Sequence, residues 1–142
     1  MKIRQLSIFL ENRIGRLAAV IRILGEAGID ILAISVADTA DFGILRLIVR
    51  DIDRAQQVLK DHGVVCKLNN VTVVEVEARP GSLGKVLSLL DDAGVNIEYM
   101  YAIAQTRCVN ALMVFRFAEN TDAISVLERN AVKLHSEESL FA

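Results

Sequence analysis

Cysteine is scarce in this sequence, histidine equally so, and neither a basic run nor a long apolar run occurs. Each shortage excludes something. The two cysteines, Cys66 and Cys108, stand in different halves without a close partner, so neither a disulfide framework nor a CxxC metal or redox motif is present. Both read as small core hydrophobes. A formal net charge of −2, a pI near 5.7 and the lack of any Lys/Arg run offer no footprint for nucleic acid. No stretch approaches the roughly 18 uninterrupted apolar residues of a spanning helix. Asp30, Asp38 and Arg107 break the candidates, so no membrane association is expected. The apolar stretch near the N-terminus is charged on both sides and lacks a small-residue cleavage site, which points to a cytoplasmic protein.

The shortage of histidine also limits chemistry. Ser82 as a nucleophile would need a base, and His62 and His135 fall at a predicted helix end and near the C-terminus. His62 and Cys66 are four apart, but Gly63 separates helix from strand between them, which argues against a shared metal. No G-x-G-x-x-G occurs. The stretch G-S-L-G-K looks like a phosphate loop until its flanks are read: Arg79 stands where the first glycine is needed, and Val86 where Ser or Thr is. Carboxylates scatter along faces and turns expected to be solvated. Tyr99, Tyr101, Phe115 and Phe117 alternate as core strand residues do. No catalytic residue, metal or cofactor is expected.

What the sequence does have is apolar material, 53% of its residues, arranged twice in the same order. The stretches E-N-R-I-G-R-L (Glu11 to Leu17) and E-A-R-P-G-S-L (Glu77 to Leu83) lie 66 positions apart. In that ungapped register Glu11/Glu77, Arg13/Arg79, Gly15/Gly81, Leu17/Leu83, Val20/Val86, Leu24/Leu90, Ala27/Ala93, Gly28/Gly94 and Ile31/Ile97 are identical. Further on the offset is 68, pairing Ala55 with Ala123, Val58 with Val126 and Leu59 with Leu127. The chain is therefore two copies, residues 1–68 and 69–142, each of a size that benefits from a neighbour.

Periodicity changes in a fixed order within a copy. Residues 2–10 read as a strand, and Leu17, Val20, Ile21 and Leu24 form one helical stripe. Residues 29–37 are a strand, D-T-A-D turns the chain, and residues 42–50 return as the hairpin partner. Asp51 caps a helix over 52–62, Gly63 stops it and residues 64–68 close the unit. Copy two predicts a strand over 70–78, a helix over 82–93, strands over 95–105 and 109–117, a helix over 121–130 and a short strand near 131–135. Right-handed crossovers split around a hairpin place both helices on one face of a four-stranded antiparallel sheet, the α+β ferredoxin-like βαββαβ sandwich. Both faces of the strand after the first helix are apolar, with Ile29, Ile31 and Ala33 alternating with Leu32, Ile34 and Val36. A covering partner surface is expected there, the sister copy or another subunit.

At each strand-to-helix junction a glycine lets the backbone turn sharply, and the unpaired N–H groups of the helix start suit a carboxylate or phosphate. On spacing alone the loop is first of all a tight turn without a ligand. The loops N-R-I-G-R-L and R-P-G-S-L-G, a helix ending A-G and a strand opening I-D-I or V-N-I together resemble the ACT domain, over essentially the whole chain twice. Members of that family are regulatory modules that bind amino acids. The chain is similar to stand-alone bacterial tandem-ACT proteins.

The resemblance implies two units paired side by side in one eight-stranded antiparallel sheet with helices on one face, and a free amino acid bound at the interface between the units. It implies a homodimer, and a regulated enzyme of amino-acid metabolism as a further partner. The ligand-binding positions it implies are Asn12, Arg13, Ile14, Gly15, Arg16, Leu17, Asp30 and Ile31 in copy one. In copy two they are Arg79, Pro80, Gly81, Ser82, Leu83, Asn96 and Ile97. The loop asparagine of serine-binding members falls on Asn12 and Ala78, and their second-strand asparagine on Asp30 and Asn96. An Asn12/Asn96 site would keep both amides, whereas Ala78/Asp30 would lose one and gain a charge. A position often held by His in serine binders is Leu10 here and Val76 in copy two, which argues against serine itself. Competing readings are a structural or oligomerisation module whose loops are only turns, and a small enzyme on the same scaffold.

Overall fold

A computed structural model describes residues 2–38, 42–119 and 121–142, with Asp38 described by its backbone alone. Elements follow in the order β1 (Ile3–Glu11), α1 (Arg16–Glu26), β2 (Ile31–Asp38), β3 (Phe42–Val49), α2 (Ile52–Asp61), β4 (Cys66–Val76), α3 (Ser82–Asp92), β5 (Ile97–Ala102), β6 (Ala111–Phe117), α4 (Ala123–Arg129), β7 (Leu134–His135) and α5 (Glu137–Phe141). The chain divides into two compact units: Arg4–Asn69, and Asn70–Ala142 together with residues 2 and 3. The turn expected over 38–41 lies, from Thr39 to Asp41, outside the described residues.

In the first unit the strand order is β2-β3-β1-β4. β1 and β3 pair antiparallel with Leu6 opposite Leu47 and Ile8 opposite Leu45, and β2 joins β3 with Ile34 opposite Leu47. Because side chains alternate across a strand, Leu6, Ile8 and Leu10 share one face with Leu45, Leu47 and Val49. That face is closed by Val20 and Leu24 of α1 and by Ile52, Ala55 and Leu59 of α2. Both helices therefore lie on one face of this sheet, as the split crossovers require. The second unit repeats the design with order β7-β4-β6-β5. Val74 and Val76 of β4 and Phe115 of β6 meet Val86 and Leu90 of α3 and Ala123 and Leu127 of α4.

Eight strands were expected and seven are present among the described residues. Cys66–Val76 runs without a break, serving as the closing strand of the first unit and the opening strand of the second. Nothing in the stretch from Lys67 to Val76 interrupts it. Neither Gly nor Pro occurs there, and Asn69, which might have turned the chain, instead accepts a hydrogen bond from the Ser7 hydroxyl at 2.7 Å. The second unit's closing strand shrinks to Leu134–His135, and a short helix follows that periodicity did not reveal. It is opened by Ser136, whose hydroxyl accepts from the Ser139 N–H at 3.1 Å.

The strands expected to be apolar on both faces, β2 and β5, are each an edge of their own sheet. β2 begins buried, at Leu32 and Ala33, and ends open, with Ile34 and Val36 at 42% and 48% exposure.

The α2 and α4 helices end in the same turn. Gly63 donates to the Lys60 carbonyl and Val64 to that of Leu59; Ala131 donates to Glu128 and Val132 to Leu127. Gly63 has φ 72°, and Ala131 holds the same left-handed conformation at φ 58°, where it is the sole non-glycine among the described residues. A side chain in that region costs about 1 kcal/mol. A Cβ at Gly63 would meet no atom within 4 Å, so only the backbone term is at stake. Ala131→Gly should raise the thermal midpoint by about 3 °C and Gly63→Ala lower it by a similar amount, as read by calorimetry.

Candidate functional site

The two strand-to-helix loops superimpose bond for bond. In each, the loop arginine N–H reaches the glutamate carbonyl two residues back, from Arg13 to Glu11 and from Arg79 to Glu77, at 2.8 Å. The next bonds are Arg16 N–H to the Arg13 carbonyl at 3.3 Å and Ser82 N–H to the Arg79 carbonyl at 3.2 Å. Gly15 at φ 89° and Gly81 at φ 86° supply the turn, and an added Cβ at either would clash with nothing, so the left-handed backbone is what requires glycine. Neither α1 nor α3 has a side-chain cap, and neither carries an acidic residue in its first turn. By contrast α2 is capped by Asp51, whose carboxylate accepts from the Arg54 N–H at 3.3 Å, with Asp53 next in line. A missing cap costs about 1 kcal/mol, less than the roughly 2 kcal/mol from burying a leucine such as Leu24 or Leu90. Packing thus holds α1 and α3, whose uncapped starts keep the partial positive charge of a helix N-terminus.

The expected site residues sort by their surroundings. Asn12, Arg13, Ile14, Gly15, Arg16 and Leu17 are exposed around the first loop, as are Arg79, Pro80 and Gly81 around the second, where Ser82 and Leu83 are half-buried. Each loop arginine is held by its own glutamate: Arg13 Nε lies 2.7 Å from Glu11 Oε2, and Arg79 makes the matching contact with Glu77. Asp30 and Asn96 stand exposed just before β2 and β5, with Ile31 and Ile97 half-buried behind them. Asp30 forms an ion pair with Arg50 at 3.0 Å. In the second unit both partners differ, Asn96 replacing Asp30 and Ala118 replacing Arg50, while the backbone bond survives: Arg50 N–H to Asp30 O is 3.1 Å, Ala118 N–H to Asn96 O 3.0 Å.

A polar cluster in the second unit was not anticipated. Glu75 on β4 has a side chain only 12% exposed. Its Oε2 accepts from Asn110 Nδ2 at 2.9 Å, and its Oε1 meets His135 Nε2 at 2.8 Å and Lys133 Nζ at 3.7 Å. The bonds continue outward: Asn110 Oδ1 accepts from the Ala78 N–H of the loop at 3.2 Å, and His135 Nδ1 lies 2.9 Å from the Ser139 hydroxyl. An ionised Glu75 accepts the Nε2–H proton, which leaves Nδ1 to accept from Ser139.

The Asn110 bond, then that of His135, hold the Glu75 carboxyl down at about 2, with Cys108 and Lys133 assisting, against burial that pushes it up. Not every carboxylate, then, is a solvated one. Cys66 sits half-buried on β4, where burial pushes its thiol up, as for a core hydrophobe. The cluster has no twin in the first unit, where the matching positions are Phe9, Phe42 and Lys67. A search for repeated residues could not have found it.

A carboxyl held low in the fold stabilises it above the unfolded value of about 4.5, and that stabilisation disappears as pH falls toward about 2. Urea midpoints measured across that window should fall for the native chain, and Glu75→Gln should flatten the decline while lowering stability at neutral pH.

A family profile described as an ACT domain pair matches residues 1–142. No curated protein matches the sequence. Among solved structures, protein BT0572 from Bacteroides thetaiotaomicron is 40% identical, with 99% of this chain and 96% of that chain covered and a TM-score of 0.90. The regulatory subunits of aspartate kinase from Thermus thermophilus and Thermus flavus are each 19% identical at TM-scores of 0.60. The shared regions span 89% of this chain in both cases, and 91% and 90% of those subunits. Likeness at that identity shows the fold, two tandem βαββαβ units of antiparallel sheet and helices. The chain belongs to the ACT domain family, as an ACT domain pair.

Proposed function

We propose that this ACT domain pair is a non-catalytic amino-acid sensor, in which the ligand carboxylate meets an uncapped helix start. The ammonium and side chain are received by the start of a second strand from a neighbouring unit. The observation that carries the reading is the duplicated loop: a left-handed glycine followed by a helix with neither a side-chain cap nor a first-turn carboxylate, at both α1 and α3. Loop and strand are each incomplete as a binding site, and together they offer donors for a carboxylate and acceptors for an ammonium.

Asn12 and Asn96 supply the amides of the better site. Arg13, Ile14, Gly15, Arg16 and Leu17 complete its loop, and Ile97 lies on its strand. The site built from Arg79, Pro80, Gly81, Ser82 and Leu83 with Asp30 and Ile31 is the weaker one, because Ala78 lacks an amide and the Asp30 carboxylate is already held by Arg50. The sensor works as a homodimer in the cytoplasm and transmits ligand occupancy to an enzyme of amino-acid metabolism, which requires different ligand affinities in its two states.

A second reading keeps the fold and drops the ligand. The exposed Ile34 and Val36 on edge strand β2 suit an oligomerisation or protein-interaction module.

A thermal-shift screen against the twenty amino acids separates the two. A ligand at about a hundredfold above its dissociation constant adds about 2.7 kcal/mol to stability, so the melting temperature should climb with concentration for one amino acid or side-chain class. Asn12→Ala or Asn96→Ala should abolish the climb, and Ala78→Gly should leave it nearly intact. Silence from all twenty would transfer support to the interaction module.

A further inference from the structure

A cleft of about 380 Å³ lies wholly within the second unit, between the start of α3 and the turn from α4 to β7. That volume falls in the range of small-molecule sites. One wall is apolar, made by Val76, Val86, Leu89 and Val132, and the remainder is polar and unequally charged. Arg79, Lys85 and Lys133 set three positive charges against the two carboxylates of Glu75 and Glu77, leaving one positive charge in excess. Both carboxylates are engaged, Glu77 by Arg79 and Glu75 by His135, Asn110 and Lys133. Lys85 makes no ion pair among the described residues.

Asn110 gives the cleft a fixed donor. Its Oδ1 accepts from the Ala78 N–H and one hydrogen of Nδ2 goes to Glu75, so the amide cannot flip without losing both bonds. A primary amide has two hydrogens on nitrogen, and Asn110 lines the cleft with the second still to give. The Ser82 hydroxyl lines the same cleft. In the second loop, where Ala78 has replaced the amide found at Asn12, an amide is thus brought in from β6's approach.

We infer that this cleft is a binding site for a small aliphatic 2-oxo acid, distinct from the Asn12/Asn96 amino-acid site and sharing Arg79 and Ser82 with the weaker one. Its carboxylate neutralises the excess charge at Lys85, its oxo oxygen accepts from Asn110 and Ser82, and its hydrocarbon rests on Val76, Val86, Leu89 and Val132. An amino acid of the same shape is disfavoured, since its ammonium would enter a cation-rich space whose two carboxylates are already committed. The polar cluster around Glu75 then has a purpose beyond stability: it aims Asn110.

The test is a ¹H–¹⁵N titration of the full chain with 3-methyl-2-oxobutanoate, and with valine as its ammonium-bearing counterpart. Saturable shifts are expected at the Ser82, Leu83 and Lys85 amides and at the Asn110 side-chain amide for the oxo acid. Lys85→Glu and Asn110→Asp should each weaken binding by about tenfold or more. Asn110→Asp keeps the acceptor for Ala78, and the native spectrum of either variant verifies its fold. The exposed Lys60→Glu, in the first unit, controls for loss of net positive charge and should leave the affinity unchanged. Absence of saturation, equal affinity for valine, or equal weakening by Lys60→Glu would each overturn the inference. Oxo-acid binding without any amino-acid response would leave this site standing and remove the sensor reading; the converse would do the opposite.

Discussion

Strand β4 is the constraint on which both units depend. Its first residues hydrogen-bond to β1 and complete one sheet, and its later residues seat β6 and β7 and begin the other. A one-residue slip along such a strand would exchange its faces, taking Val74 and Val76 out of the second unit's core and putting Val73 and Glu75 in their place. Register is therefore held by burial on the helix side. On the other side it is held by polar contacts at Asn69 with Ser7 and at Glu75 with His135. An interruption at Asn69 or Asn70 would have produced two separate short strands. Their continuity lets one segment serve two sheets.

Duplication preserved the backbone more faithfully than the chemistry. The loop bonds agree to 0.1 Å between copies, from Arg16 N–H to Arg13 and Ser82 N–H to Arg79, or from Ala19 N–H to Gly15 and Lys85 N–H to Gly81. Side chains on that common frame diverged in pairs. Asp30 and Arg50 form an ion pair, and both are absent from the second unit, where Asn96 and Ala118 stand. Glu75 and Asn110 are hydrogen-bonded, and the matching first-unit positions are Phe9 and Phe42, exposed by 61% and 53%. For the largely buried Glu75, loss of Asn110 alone would remove a hydrogen bond from a buried charge. Paired change avoids that cost.

Whatever depends on apolar period or on glycine was legible in the sequence. The stripe of Val20 and Leu24, the left-handed Gly15 and Gly81, the Asp51 cap and the order βαββαβ all follow from local rules, and the family resemblance agrees with the profile match. Three features were not legible, for separate physical reasons. The fusion of two strands into β4 turned on Asn69, a residue equally at home in a turn or, given a partner like Ser7, in a strand. The α5 helix is five residues long, too short for a periodic signal. The Glu75 cluster joins residues from four stretches of chain, Glu75, Asn110, His135 and Ser139, and no pattern along the chain links groups that meet only once the sheet is formed.

The divergence decides how the two loops differ in what they can hold. Beside the first loop the charged pair is Arg13 with Glu11, on the exposed surface, where ion pairs contribute little. Around the second, the Ala78 N–H is already bonded to Asn110, and Asn110 to a carboxylate that stays ionised through the whole physiological range. A preformed, hydrogen-bonded loop loses less entropy on receiving a ligand than a mobile one, but it also has fewer geometries to offer. At the first loop Phe42 occupies the position of Asn110 and has no amide, so this tether belongs to the second loop.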